Sequence, residues 1–304
     1  MTSNDPIILA EKVSLNWQGL QVLKDVSFAI AGGDFLALIG PNGSGKTTTV
    51  ESLQGLRSIE GGSVSVLGFD PTTHAHEIRR RVGSQLQESA LPDRVKVWEA
   101  LELFSSISER GPSWRDVLRD WGLAEKKDAR FGSLSGGQQQ RLFVALSLVN
   151  DPQIVFLDEM TTGLDPASRR VAWDLIRRVQ ERGTTVVLVT HFMDEAETLC
   201  DRLVVINQGV VVAGGTPGEL IDRLGGGVRV RFTLDGEEPP WLATVPHVSS
   251  WTRDRNRYEV LGDGPVLAYV AAGLVEHGRV PADLRQERAT LEDVFLRLTQ
   301  GDGS

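Results

Sequence analysis

"GPNGSGKTT" at 40–48 carries the densest chemistry in the chain. It fits G-x-x-x-x-G-K-S/T and lies between an apolar run, "DFLALI", and a helical pattern, the context that spacing requires. Glycines at 40, 43 and 45 let consecutive backbone N–H groups point inward around an anion. Lys46 adds a point charge, and the Thr47 hydroxyl can ligate Mg²⁺. Gly40, Pro41, Asn42, Gly43, Ser44, Gly45, Lys46, Thr47 and Thr48 together form the expected phosphate cradle.

A second stretch, "IVFLDEMTTGLDP" at 154–166, sets Asp158 beside Glu159 at the end of an apolar run, with Asp165 a little further on. Crowded carboxylates raise one another's pKa unless a positive charge sits among them. The phosphate loop supplies it. A carboxylate at the end of a strand neighbouring such a loop helps hold Mg²⁺, which assigns Asp158 to the metal. Side chains alternate along a strand, so Glu159 diverges and faces a water as general base or water-positioner. A third stretch, "SLSGGQQQRLFVALSLV" at 133–149, opens a helix on Ser135, Gly136 and Gly137, another N-terminal anion site.

The elements that must position these residues are legible in the patterning. "DFLALIG", "IVFLD", "TTVVLVT" and "RLVVI" are continuously apolar, as strands of a parallel sheet covered on both faces are. Between the second and third, Ala172, Leu175, Ile176 and Val179 recur on one helical face, giving a βαβ unit. From about 88 to 130 the pattern is helical, and with the helix after Ser135 the helical subdomain extends to about 150. "RLGGGVRV" at 223–230 reads as a boundary. Beyond it Val228, Val230, Phe232 and Leu234 alternate with polar residues, "WTRDRNRYEVLGDGP" offers another strand, Pro265 opens a helix, and Thr290 with Asp293 forms a capping box. The expected class is α/β, with a domain at 1–225 and a small α+β domain at 226–304.

Composition narrows the partners. With 40% hydrophobic and 24% charged residues the chain is globular, and 32 basic against 41 acidic residues disfavour nucleic acid. One cysteine, Cys200, no signal-peptide pattern and no apolar stretch near the ~20 residues of a membrane helix make the cytoplasm the expected compartment. Cys200 itself reads as a small buried hydrophobe.

"LSGGQQQR", lying between the phosphate loop and "IVFLDEM", resembles the signature sequence of ATP-binding cassette (ABC) ATPases, and the similarity covers residue 7 to about 225. The resemblance implies the P-loop NTPase fold of an ABC nucleotide-binding domain, ATP and Mg²⁺ as cofactors, and ATP hydrolysis. It also implies a head-to-tail dimer, with equivalent subunits permitted, in which Ser135, Gly136, Gly137 and Gln138 of one copy close over ATP held by the other. Trp17 falls where the family stacks an aromatic on adenine, or is a core tryptophan. Gln87, with Gln85 as a competing register, matches the glutamine that touches Mg²⁺ and the attacking water. His191 matches the switch histidine at the γ-phosphate, and Asp165 the loop acid that communicates across the dimer, a role compatible with capping the helix from Pro166. Met160 stands where the family usually has proline, which leaves the turn after Glu159 looser.

The C-terminal "ATLEDVFLRLT" is similar to the tail of daunorubicin-resistance-type cassettes. That similarity implies a subunit on the cytoplasmic face of the membrane, powering separate transmembrane permease subunits that export drugs, lipids or other hydrophobic compounds. The competing readings are a soluble ABC ATPase acting on ribosomes or DNA, and an importer ATPase.

Overall fold

The computed structural model describes residues 5–85, 90–107, 111–225, 227–236 and 238–300. It divides between Thr216 and Pro217 into two compact units, each with its own sheet structure.

In the first unit, β1 (Ile8–Trp17) and β2 (Leu20–Ile30) make an antiparallel hairpin. Gln18 and Gly19 at its turn both have positive φ, 51° and 80°, the backbone that matches strand twist in a two-residue loop. β3 (Phe35–Ile39) runs into the phosphate loop and α1 (Lys46–Leu53), after which β4 (Gly61–Val66) pairs with β1. α2 (Ala75–Arg79) and β5 (Val82–Gln85) precede the helical segment, which contains α3 (Val97–Ser106), α4 (Trp114–Asp120) and α5 (Gly136–Leu148). Among the described residues that segment holds no strand, only an isolated bridge between Lys96 and Arg130. The chain then alternates through β6 (Ile154–Asp158), α6 (Pro166–Glu181), β7 (Thr185–Val189), α7 (Met193–Leu199), β8 (Arg202–Asn207) and β9 (Val210–Gly215).

The main sheet has the order β5-β6-β7-β3-β8-β9 and is parallel except for β9. Every residue of β3, β6 and β7 is buried, which explains why these runs are continuously apolar. Ile8, Leu23 and Val26 of the antiparallel β2-β1-β4 sheet share one core with Leu36, Leu38, Phe156 and Val187. Each such side chain contributes about 1.5–3 kcal/mol by burial. α6 lays Ala172 and Ile176 into the interior, with Leu175 and Val179 at the margin of the same face. Cys200, after α7, is buried, and burial pushes its thiol pKa up.

The second unit starts earlier than the glycine run suggests. α8 (Pro217–Leu224) belongs to it, packing against the C-terminal helix α10 (Leu291–Gln300). A Cβ on Gly225 would lie 2.4 Å from the Ile221 carbonyl oxygen of α8 and 2.6 Å from the Ala289 side chain, so glycine is needed there. The sheet order is β11-β12-β10-β13, with β10 (Val228–Thr233), β11 (Val248–Asp254), β12 (Arg257–Gly262) and β13 (Arg285–Arg288), and α9 (Val266–Glu276) lies between the last two. The stretch read as one strand is therefore spanned by a hairpin, β11 and β12, turning at Arg255 with φ 58°. β11 and β13 are edge strands of mostly polar residues, so they carry no apolar alternation to detect. Val230, Phe232, Tyr258, Val260, Val266 and Val270 form the separate core. The Thr290–Asp293 capping box opens α10: Asp293 accepts from the Thr290 N–H at 2.8 Å, and Thr290 Oγ1 accepts from the Asp293 N–H at 3.3 Å. No helix among the described residues is long and apolar enough to cross a membrane.

Candidate active site

The phosphate loop leaves β3 at its carboxyl end, and its glycines are needed where they stand. A Cβ on Gly40 would lie 2.1 Å from the Ile206 carbonyl oxygen, and one on Gly45 2.8 Å from the Leu23 side chain. Gly45 also has φ 106°, a left-handed turn that swings the chain into α1. Lys46, the first residue of α1, is almost fully buried, and its Nζ donates to the carbonyl oxygens of Gly40 at 2.8 Å and Pro41 at 2.9 Å. The ammonium is thus folded back over its own loop. Burial lowers its pKa, while Glu159 and Asp158 raise it.

β6 brings the acids to the same edge. Asp158 is 4% exposed, and its Oδ2 accepts from the Thr47 hydroxyl at 3.5 Å, whereas Oδ1 has no hydrogen-bond partner among the described residues. Burial, then repulsion from Glu159, pushes the Asp158 carboxyl up to about 6 against the opposing pull of Lys46. A folded-state pKa raised above the unfolded value of about 3.9 stabilises the fold fully below that value, and the benefit is lost as pH rises through about 6. In nucleotide-free protein the loss is at most about 3 kcal/mol. Asp158→Asn should therefore melt at a higher temperature than wild type at pH 8, with the gap closing toward pH 4. Equal melting curves at both pH values would contradict this electrostatic reading.

Glu159 follows at φ 49°, a left-handed conformation that costs a residue with a side chain about 1–3 kcal/mol and needs support from its surroundings. Its N–H donates to the Val189 carbonyl at 2.9 Å, and its own carbonyl accepts from the Thr162 N–H at 3.1 Å, closing a turn with Met160 and Thr161 at the centre. His191, two residues past the end of β7, places Nδ1 3.2 Å from Glu159 Oε1. The sequence names these two residues separately; the fold joins them as a pair. Met160 is fully buried, so the turn expected to be loose is enclosed by side chains.

Sequence reasoning missed the residues behind this turn. Glu195 of α7 is fully buried, and its Oε1 accepts from Thr161 Oγ1 at 3.0 Å and from Trp173 Nε1 at 2.9 Å. Burial raises its pKa, with Thr190, Trp173 and Thr161 pulling the other way. The only signal was an acid on the inward face of a short helix, which looks the same as an exposed one in "MDEAETL".

The other expected residues fall in several places. Ser135 is the N-cap of α5, and it forms a capping box with Gln138: Gln138 Oε1 accepts from the Ser135 N–H at 3.0 Å and Ser135 Oγ from the Gln138 N–H at 3.4 Å. Gly136 is exposed, with open space where a Cβ would project, and Gly137 packs on Ser168 of α6. Asp165 caps α6, accepting from the N–H groups of Ala167 and Ser168, each at 3.0 Å; hydrogen bonds from Ser168 hold its carboxyl below the usual range. Trp17 is 52% exposed, with the Arg57 guanidinium 4.2 Å over its ring, so it is not a core tryptophan. Gln85 is buried at the end of β5, and Gln87 lies outside the described residues.

A phosphate loop and paired acids at the carboxyl edge of a mostly parallel sheet define an α/β nucleoside-triphosphate-binding cassette. Residues 23–162 match the family described as ABC transporter. Nod factor export ATP-binding protein I of Ralstonia nicotianae is 36% identical, covering 97% of this chain and 94% of its own length. A daunorubicin resistance ATP-binding protein of Streptomyces coeruleorubidus is 33% identical, covering 96% and 94%. The solved dimeric, post-hydrolysis state of an ATP-binding cassette bound to ADP and Pi is 26% identical with a TM-score of 0.63, covering 69% of this chain and 98% of that one. The chain belongs to the ABC transporter family, as one of its ATP-binding, ATP-hydrolysing subunits.

Proposed function

We propose that the chain powers an exporter of hydrophobic compounds, drugs or lipids among them, as one half of a homodimer docked on separate permease subunits at the cytoplasmic face of the membrane. The observation that carries the catalytic part is the convergence of Lys46, Thr47, Asp158, Glu159 and His191 at the ends of β3, β6 and β7. Direction of transport follows the relatives, named for Nod factor export and daunorubicin resistance.

Thr47 and Asp158 Oδ1, which has no partner among the described residues, fit a small divalent cation. Among the described residues no group of three acids, histidines or cysteines could hold a metal, so Thr47 and Asp158 would hold the cation together with the nucleotide. Mg²⁺ bound there supplies charge neutralisation at the phosphates. Lys46 and the loop N–H groups hold the phosphates, Glu159 takes a proton from the attacking water, and His191 steadies the Glu159 carboxylate while reaching the terminal phosphate. Gln87, outside the described residues, keeps the role toward Mg²⁺ and the attacking water that the family resemblance gives it, and Trp17, 52% exposed, offers a ring face to adenine. Asp165 carries the state of one site to the other through α6.

The exposed turn at Ser135 and Gly136 supplies a second anion site for the nucleotide held by the partner copy. Leu103 and Ile107, 60% and 75% exposed on and just after α3, sit on the helical segment as an apolar contact for a permease. The dimer is tested by mass. With ATP and Mg²⁺, a Glu159→Gln variant should run at twice the monomer mass, and adding Ser135→Arg should return it to monomer while ATP binding persists. A doubled mass that survives Ser135→Arg would remove the signature from the interface.

A further inference from the structure

Met160 occupies the first central position of the turn closed by the Thr162 N–H and the Glu159 carbonyl, the place where proline stiffens a turn by fixing φ. Methionine fixes nothing, yet the residue before it is held in a left-handed conformation. The restraint must come from outside the turn. Thr161, the second central residue, is fully buried and donates its hydroxyl to Glu195 at 3.0 Å. Glu195 in turn accepts from Trp173 of α6 at 2.9 Å, so its carboxylate fastens the turn to two helices. It also borders Thr190, whose Oγ1 accepts from the Phe192 N–H at 3.0 Å and shapes the bend that carries His191.

We propose that Glu195 is a positioning residue: through Thr161 it holds the turn that aims the Glu159 carboxylate, doing for this chain what a proline at 160 would do by covalent geometry. The role rests on Glu159 being the acid that activates water, as proposed above. It touches no reacting atom. Its action is on the rate of the chemical step and leaves nucleotide binding alone, because the phosphate loop is built on separate residues.

The test is a set of variants assayed for ATP hydrolysis well below their melting temperatures. Thr161→Val deletes the hydroxyl at almost constant volume. It should lower kcat about tenfold or more with KM for ATP within about twofold, since a displaced catalytic group loses rate steeply. Thr161→Ser should restore most of the rate. Met160→Pro should change wild type little but recover kcat in the Thr161→Val background, and the Met160 N–H makes no hydrogen bond among the described residues for proline to delete. Trp173→Phe removes the other anchor of Glu195, and should give a smaller fall in kcat if Thr161→Val proves too unstable to purify. A wild-type kcat in Thr161→Val, or in Trp173→Phe where that variant stands in, overturns the proposal. So does a lowered kcat that neither serine nor proline recovers, which would mark a general packing defect. Glu159→Gln separates the two layers: if it hydrolyses ATP normally the functional reading falls, whereas if it is inactive and Thr161→Val is normal, only the clamp falls.

Discussion

Glu159→Gln is expected to reduce ATP turnover at least about a hundredfold while leaving ATP affinity within about twofold of wild type. Glutamine keeps the size of the side chain and can still bond to His191, 3.2 Å away, but it cannot take a proton from water. The magnitude is that of removing a general base held in place by the fold. Placement is the stronger half of the argument. Glu159 is partly buried, held at φ 49°, and next to an Asp158 whose own carboxyl is driven up to about 6 by burial and the neighbouring acid. Rapid-mixing hydrolysis at saturating ATP checks the rate, and fluorescent-nucleotide titration checks the affinity. Turnover within threefold of wild type would move the catalytic role off this residue.

Lys46→Ala should fail at the earlier step, with ATP affinity falling about ten- to a hundredfold. Charged hydrogen bonds contribute about 1.5–3 kcal/mol each, and ~1.4 kcal/mol is a factor of ten in affinity. The ammonium now bonds the Gly40 and Pro41 carbonyl oxygens, so the substitution also unpins the loop that surrounds the phosphates. A further consequence concerns Asp158. Lys46 is the cation that pulls its carboxyl down, so without it the acid should stay protonated to higher pH. Equilibrium binding by calorimetry reads the first effect, and a wild-type dissociation constant would sink it. Together the two substitutions separate binding from chemistry.

How much of this was open to a reader of the sequence depends on what each residue must do locally. The phosphate loop was legible because glycine is forced at Gly40 and Gly45 by contacts under 3 Å, and such constraints write themselves into the sequence. β3, β6 and β7 were legible because burial on both faces excludes polar residues. Asp165 was readable as a cap because the proline after it announces a helix start. β11 and β13 were not, since an edge strand of mostly polar residues offers no apolar alternation. The extent of the second unit was misplaced for a related reason: α8 is amphipathic wherever it packs, and only tertiary contact with α10 shows which core it serves. Glu195 was invisible because a carboxylate is ordinarily a surface group, and its partners, Thr161 and Trp173, come from elements distant in the chain.

The capping box at the head of α5 has a kinetic meaning. Ser135 and Gln138 already satisfy one another's backbone N–H groups, so the first turn of the helix is fixed before any second copy approaches. In the proposed dimer, an anion arriving at Gly136 would meet donors that need no ordering, and little conformational entropy would oppose the encounter. The pace of a full cycle would then be set by how long the joined halves persist, a residence time governed by escape and not by capture.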